Sequence, residues 1–464
     1  MMKIDTLVAE IGSTTTVVNA FTTRDHIATF VGRGVSVTTV DSDVRDGLDG
    51  AIADLKKRFK ANELSYGEMF ASSSAAGGLK MTVSGLVYEM TVRAAKEAAL
   101  NAGANIHLIT AGPLEDDDLE QIQDIKPNII LISGGTDYGE KNVAFENLKK
   151  VEKLGLNTPI LYAGNIENQY RIKKYFADSP QKPYLSLVEN VYPRVDFLNI
   201  HPLRKKIYET FEEHIVHAKG MKHVKDRVDG SIMPTPGSVM EAAMLLYEEL
   251  GNLVVIDVGG ATTDVHSVTL PSDEYLKYSE GEAKEKRTVE GDLGVFVNRE
   301  KVLEYADKTH VRDKLQLDEE SFDKLLRNYE QIPKTETERR FVYELTKVCV
   351  YKSLDRHVGD MRNVYTTNGM KVIPEGRDLT QVQTVVLTGG ALIHLEDTES
   401  IIADYMRDKT KKLVPKGNIK ILRDWDYIMS SVGVLSLKYP DKALDLLMKS
   451  LRIESDAHVS ANRN

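Results

Sequence analysis

One cysteine and one tryptophan in 464 residues set the first limits on this chain. Cys349 alone allows no internal disulfide and argues against a cysteine-built metal site. It lies in an apolar helical stretch and reads as a packed thiol. No apolar run approaches the ~20 residues needed to cross a bilayer, and no basic-then-apolar leader precedes the first strand. A reducing cytoplasm is therefore the expected compartment, with no membrane partner. Positive charge is short as well: 60 Lys and Arg stand against 70 Asp and Glu, a formal net charge of −10. Binding to a phosphate backbone needs clustered bases. The basic patches, Lys56–Lys57–Arg58 and Lys409 with Lys411 and Lys412, have acids close by and read as solvated faces. Nucleic acid is not an expected partner.

What the chain does have is length, a globular composition and a repeated turn. At 42% hydrophobic and 28% charged residues it can build ordinary cores, and its length predicts about two to four domains. Residues 6–16 read TLVAEIGSTTT: an apolar run, Glu10, Gly12, then the hydroxyls Ser13 to Thr16. Residues 253–264 read LVVIDVGGATTD: the same kind of run, Asp257, Gly259–Gly260, then Thr262 and Thr263. Residues 384–391, TVVLTGGA, end a third apolar run in Gly389–Gly390. A strand that ends in acid-x-Gly and runs on into hydroxyls sets backbone N–H groups and side-chain OH groups where an anion can sit. It also leaves a carboxylate beside them for a hydrated Mg²⁺. Any one such turn is more often a plain tight turn, since glycine serves wherever φ must be positive. The recurrence of hydroxyls at the same offset from the acid is what points to nucleotide binding between two lobes.

The rest of the chain is read as α/β. Three strands are predicted over residues 4–40 and a helix from Leu48 to Phe59. A helical pattern runs from Gly85 to Ala102, stopping at Gly103. Apolar runs at Ile106–Ile109, Asn128–Ile132 and Pro159–Tyr162 then alternate with helical patterns around Leu119, Phe145 and Tyr170. That alternation predicts βαβ units and a parallel sheet. The turns Ser133–Asp137 and Ala163–Asn165 cap two of its strands, and are read as a docking or cofactor-sensing edge. A helix from Pro202 to Lys219, the break Met233-Pro-Thr-Pro-Gly237 and a helix from Ser238 to Leu250 lead to the second acid-glycine turn. After Gly291-Asp-Leu-Gly294 the chain is helical and charged to about Asp360. The expected domains are residues 1–84 as a first lobe, 85–230 as an inserted α/β unit with linking helices, and 231–464 as a second lobe with a helical subdomain.

This order of turns resembles the actin, sugar kinase and heat-shock chaperone ATPase superfamily. A closer resemblance spans nearly the whole chain. The segments SSSAAGGLK (72–80), LISGGTDYG (131–139), LYAGN (161–165), ENVYP (189–193), MPTPG (233–237), VVIDVGGATTDVHS (254–267), EGDLG (290–294) and LTGGA (387–391) are similar to the glutamate mutase-associated MutL family, also called GlmL. The resemblance implies duplicated actin-like (ribonuclease H-like) ATPase lobes with an inserted parallel-sheet subdomain. It further implies an ATP-dependent, slowly hydrolysing chaperone or reactivating factor for an adenosylcobalamin-dependent mutase or aminomutase. Carried over by position, Gly12, Ser13, Thr14 and Thr15 would hold phosphates from the first lobe. Asp257, Gly259, Gly260, Thr262 and Thr263 would do so from the second, and Gly389 and Gly390 would lie against the nucleoside. Glu10 and Asp257 would serve catalysis and Mg²⁺. Two departures stand out: Glu10 replaces the usual Asp, and the position of the water-orienting acid of the heat-shock ATPases falls near Thr235. Asp264 and Asp292 are alternative acids for that role. A small-molecule kinase is the second reading and an actin-like filament, hence a homo-oligomer, the third.

Overall fold

The computed structural model describes residues 2–12, 15–23, 28–38, 43–74, 79–215, 220–279, 282–366, 369–409 and 411–453. Its strands, in chain order, are β1 Met2–Ile11, β2 Thr15–Thr22, β3 Thr29–Val37, β4 Leu64–Ser73, β5 Leu79–Gly85, β6 Ala104–Ala111, β7 Ile129–Ile132, β8 Ile160–Tyr162 and β9 Leu185–Leu187. They continue as β10 Ile232–Pro234, β11 Leu253–Val258, β12 Thr263–Val268, β13 Glu285–Glu290, β14 Asp360–Thr366, β15 Gly369–Glu375, β16 Thr384–Thr388 and β17 Lys420–Arg423.

Two five-stranded sheets repeat one plan. The first runs β3-β2-β1-β4-β10 and the second β13-β12-β11-β16-β17. In each, three strands form an antiparallel meander whose first member then pairs in parallel with a fourth, and the fourth with a fifth. This is the ribonuclease H-like order, present twice. The apolar runs read from the sequence are the central strands. Leu7, Val8 and Ala9 in β1, and Val254, Val255 and Ile256 in β11, are fully buried, as strands covered on both faces must be.

The third sheet, β6-β5-β7-β8-β9, is parallel throughout. It is the βαβ unit expected from the alternating pattern, and its first strand already begins at Leu79, so the boundary read at residue 84 falls inside β5. Likewise β10, read as the start of the second lobe, pairs with β4 of the first sheet. The reason is local. Met81 and Val83 on one face of β5 and Thr82 and Ser84 on the other are all buried, and a strand covered on both faces belongs inside a parallel sheet. The hairpin β14–β15 was not anticipated, because its residues are mostly exposed and carry no apolar alternation.

One core joins the two lobes. Val8, Phe21 and Phe70 of the first sheet and Val255 and Val386 of the second bury against Met240 and Val432, which come from the helices Thr235–Leu250 and Met429–Ser436. These helices cross closely at Gly433, where any Cβ would overlap the Ser238 carbonyl. Among the described residues no helix is long and apolar enough to cross a membrane.

Candidate functional site

The two acid-glycine turns are the same structure. In the first, Glu10 sits near the end of β1 and Gly12 N–H donates to the Thr15 carbonyl at 2.9 Å. In the second, Asp257 sits near the end of β11 and Gly259 N–H donates to the Thr262 carbonyl, also at 2.9 Å. Each bond closes the hairpin between the first two strands of its sheet, a place that favours glycine and small residues. A Cβ on Gly12 would lie 2.6 Å from the Thr15 carbonyl oxygen, so the first turn closes only around glycine. Ser13 and Thr14 lie outside the described residues. Thr15 and Thr262 are partly exposed at the two turn ends.

The second turn is clamped from behind by the Gly291–Asn298 loop. Phe296 and Val297 N–H donate to the Gly260 carbonyl at 2.9 and 2.8 Å, and Asn298 Nδ2 donates to Ala261 O at 2.7 Å. Gly294 approaches Ala261 so closely that a side chain would overlap its backbone. Thr263 belongs to this clamp. It is fully buried and its hydroxyl donates to Leu293 O at 2.5 Å, so the hydroxyl expected at the phosphates is engaged in holding the loop. Thr262 Oγ1 bonds Asp264 Oδ2 at 3.3 Å.

Glu10 and Asp257 hold matching places near the ends of β1 and β11. Burial pushes the Glu10 carboxyl up to about 7, with the Asp424 charge adding to it. Burial raises Asp257 well above the usual carboxylate range, reinforced by Asp264, Glu10 and Asp424. Both side chains nonetheless keep partial access to solvent. Two such desolvated carboxylates, one beside each glycine turn, are suited to a cation. Among the described residues no three His, Cys, Asp or Glu side chains form a metal-holding group. The arrangement fits Mg²⁺, which keeps most of its waters and needs only one or two protein carboxylates beside phosphate oxygens.

Asp424, immediately after β17, was missed by the sequence reading. It is fully buried and accepts from Ile428 N (3.1 Å), Met429 N (2.9 Å), Thr388 Oγ1 (3.1 Å) and Ser450 Oγ. It thereby caps the helix Met429–Ser436, and that helix sets Ser430 where it lowers the raised Glu10 pKa in part. Ser430 Oγ also meets Ser72 Oγ at 3.1 Å and Ser238 Oγ at 2.9 Å, while Ser431 Oγ accepts from Asn19 Nδ2 at 2.9 Å. Arg33 of β3 adds a further bridge, donating to Asp426 O at 2.6 Å and standing 5.7 Å from the Tyr427 ring. The only sequence signal was the acidic run Asp424-Trp-Asp426 after a short apolar strand.

The third turn lies beside the second, because β16 pairs with β11. Gly389 adopts φ +86°, and a Cβ there would overlap Asp257 Oδ1 and the Val258 backbone. A glycine is required there by the acid next to it. Gly390 has open space around it and starts the helix Gly390–His394. The other candidates are held in place. Asp264 is ion-paired with buried Arg287 (2.6 Å), and Asp292 makes a two-pronged pair with Arg356 (2.8 and 2.9 Å). Thr235 is buried, 3.5 Å from Ser72 Oγ. In the insert, Asp137 Oδ1 accepts from Ile166 N and Asn190 Nδ2, both at 2.9 Å, and fully buried Asn165 ties Tyr138, Gly139, Glu140 and Glu167 together.

Two ribonuclease H-like lobes, each ending its first strand in an acid and a glycine hairpin, define the actin-like ATPase fold. The model of one family, described as MutL protein, matches residues 6–451, and the chain belongs to that family. Protein MutL of Clostridium tetanomorphum is 35% identical over 433 residues, which cover 89% of this chain and 92% of that protein. Among solved structures, nucleotide-free acetone carboxylase aligns at 12% identity over 93% of this chain and 70% of its own, with a TM-score of 0.41. Diol dehydratase-reactivating factor in its nucleotide-free form aligns at 10% identity over 95% of this chain and 100% of its own, with a TM-score of 0.36. Likenesses at these scores carry no argument; the fold rests on the strand order.

Proposed function

We propose that the chain is an ATP-binding, slowly hydrolysing chaperone or reactivating factor for an adenosylcobalamin-dependent mutase or aminomutase in the cytoplasm. The observation that supports it most is the matching closure of the two turns, one per lobe, with Glu10 and Asp257 in matching places. Gly12, Ser13, Thr14 and Thr15 would take phosphate oxygens from one side. Gly259, Gly260 and Thr262 would take them from the other, and Gly390 would border the nucleoside. Mg²⁺ held through water by Glu10 and Asp257 would neutralise phosphate charge. Slow hydrolysis accords with the engaged acids: Asp264 and Asp292 are each paired with an arginine, and Thr235 cannot accept a proton as a base.

Membership of the MutL protein family supports the partner assignment. A mutase holding a damaged cofactor would be loosened by a partner that binds its open form better, and ATP, by closing the lobes, would set how well the chain does so. The test is capture of the mutase by the full chain in Mg-ATP, in Mg-ADP and without nucleotide, alongside ATPase assays with the mutase or with a sugar and polyol panel. Nucleotide-dependent capture with mutase-stimulated hydrolysis is expected. Phosphorylation of a polyol without any mutase binding would replace this reading with a kinase.

A further inference from the structure

The inserted parallel sheet has two dissimilar ends. Seven large apolar side chains of this unit are exposed, and every one follows the C-terminal end of a strand. Val87 and Tyr88 follow β5, Tyr138 follows β7, Ile166 and Tyr170 follow β8, and Val195 and Phe197 follow β9. The connections at the opposite end, residues 102–103, 126–128, 154–159 and 176–184, expose none. Single exposed apolar residues need no explanation, but a grouped set does.

Acids are interleaved with these residues. Glu89 follows Tyr88, Glu140 lies beside Tyr138, Glu167 follows Ile166, and Asp196 separates Val195 from Phe197. Over the loops at this end, eight exposed carboxylates face three exposed cations. Of those cations, Lys141 already pairs with Glu167 at 3.4 Å and Arg194 lies over the Phe197 ring at 4.7 Å. An acidic rim repels an anionic bilayer and a nucleic acid alike.

We infer that this end of the inserted sheet is the docking face for the partner enzyme, which meets it with an apolar patch set among lysines and arginines. The inference rests on the partner reading above. Size favours a protein over a small ligand. Tyr138 and Tyr170 are each 80% exposed, Tyr88 51% and Phe197 42%, so the four rings alone offer about 500 Å² if each carries ~200 Å². A standard interface takes about 800 Å² from each partner, a little over half of it apolar. The face is also pre-organised. Tyr138 and Asp196 hold left-handed backbone, with φ of +63° and +59°. Asp137 N–H donates to Pro193 O at 2.8 Å, and the Asp137, Asn165 and Asn190 side chains lock the loops to one another. Loops fixed beforehand lose little entropy on binding.

The test is a kinetic titration of the mutase holoenzyme against the full-length chain and a Tyr138→Ser/Tyr170→Ser variant, in Mg-ATP and at increasing salt. Both rings stand clear of the core, so the variant should fold and keep the wild-type ATP-induced rise in Tm. The expected results are an affinity loss of at least about tenfold in the variant and wild-type association that slows as salt rises. Equal affinity of both chains would overturn the docking face and leave the partner reading intact. Association indifferent to salt would overturn the basic complement, and loss of self-association in the variant would assign the face to a second copy instead. A wild-type chain that does not bind the mutase would overturn the partner reading and this inference with it.

Discussion

Glu10 carries a carboxyl that burial shifts into the neutral pH range. It occupies in the first lobe the place of Asp257 in the second, one methylene longer, and Ser430 and Arg33 counter only part of its burial. Its folded value of about 7 lies above the usual 4.5. The stability it lends the ligand-free protein is therefore complete below about pH 4.5 and lost as pH rises through 7, where the carboxyl must ionise in place. Glu10→Gln removes that ionisation. Tm measured without nucleotide between pH 5 and 8 should fall with pH more steeply in wild type than in Glu10→Gln. Parallel curves would show that Glu10 is solvated in the folded state. Much of this site was legible from the sequence, because a glycine turn and its acid are local in the chain. Asp424 and Ser430 were not. Their roles depend on β17 lying beside β16 and on a helix crossing to the other lobe, and no spacing between residues 10 and 430 records that.

At the scale of elements, the helix Met429–Ser436 carries the contact between lobes. Asp424 fixes its N-terminus, Gly433 lets it approach the helix Thr235–Leu250, and Ser430 and Ser431 reach Glu10, Ser72 and Asn19 of the first lobe. The sequence reading found the helix Ser238–Leu250 from its apolar content, but could not show what crosses it. Gly433→Val would force them apart against a backbone carbonyl. Overpacking of a core costs about 1–3 kcal/mol, so Gly433→Val should lower Tm by several degrees in a thermal melt. It should also weaken ATP binding in calorimetry, because Ser430 leaves Glu10. A variant with native stability and native ATP affinity would mean that the crossing does not position the site. The strand pattern of the insert was equally plain in the sequence, whereas the bonds that order its loops were not. Asp137 and Asn165, in the turns read as a docking or cofactor-sensing edge, tie the loops together, and the exposed rings beside them carried no motif.

In the whole molecule the insert is fastened near the second turn. Arg287 joins Asp264, two residues beyond Thr262, to the carbonyls of Leu100 and Ala104, each at 3.0 Å, and Asn101 donates to Glu285 O at 3.0 Å. A change at the second turn thus has a short physical route to the inserted sheet, as a coupled switch requires. The central claim is that the two turns grip one nucleotide, and thermal stability with and without Mg-ATP tests it most directly, in wild type and in Asp257→Asn. At ATP 100 times its dissociation constant the wild type should gain about 2.7 kcal/mol, a rise of a few degrees in Tm, and Asp257→Asn should gain little or nothing. A wild-type Tm unmoved by ATP, or an equal rise in both chains, would contradict it.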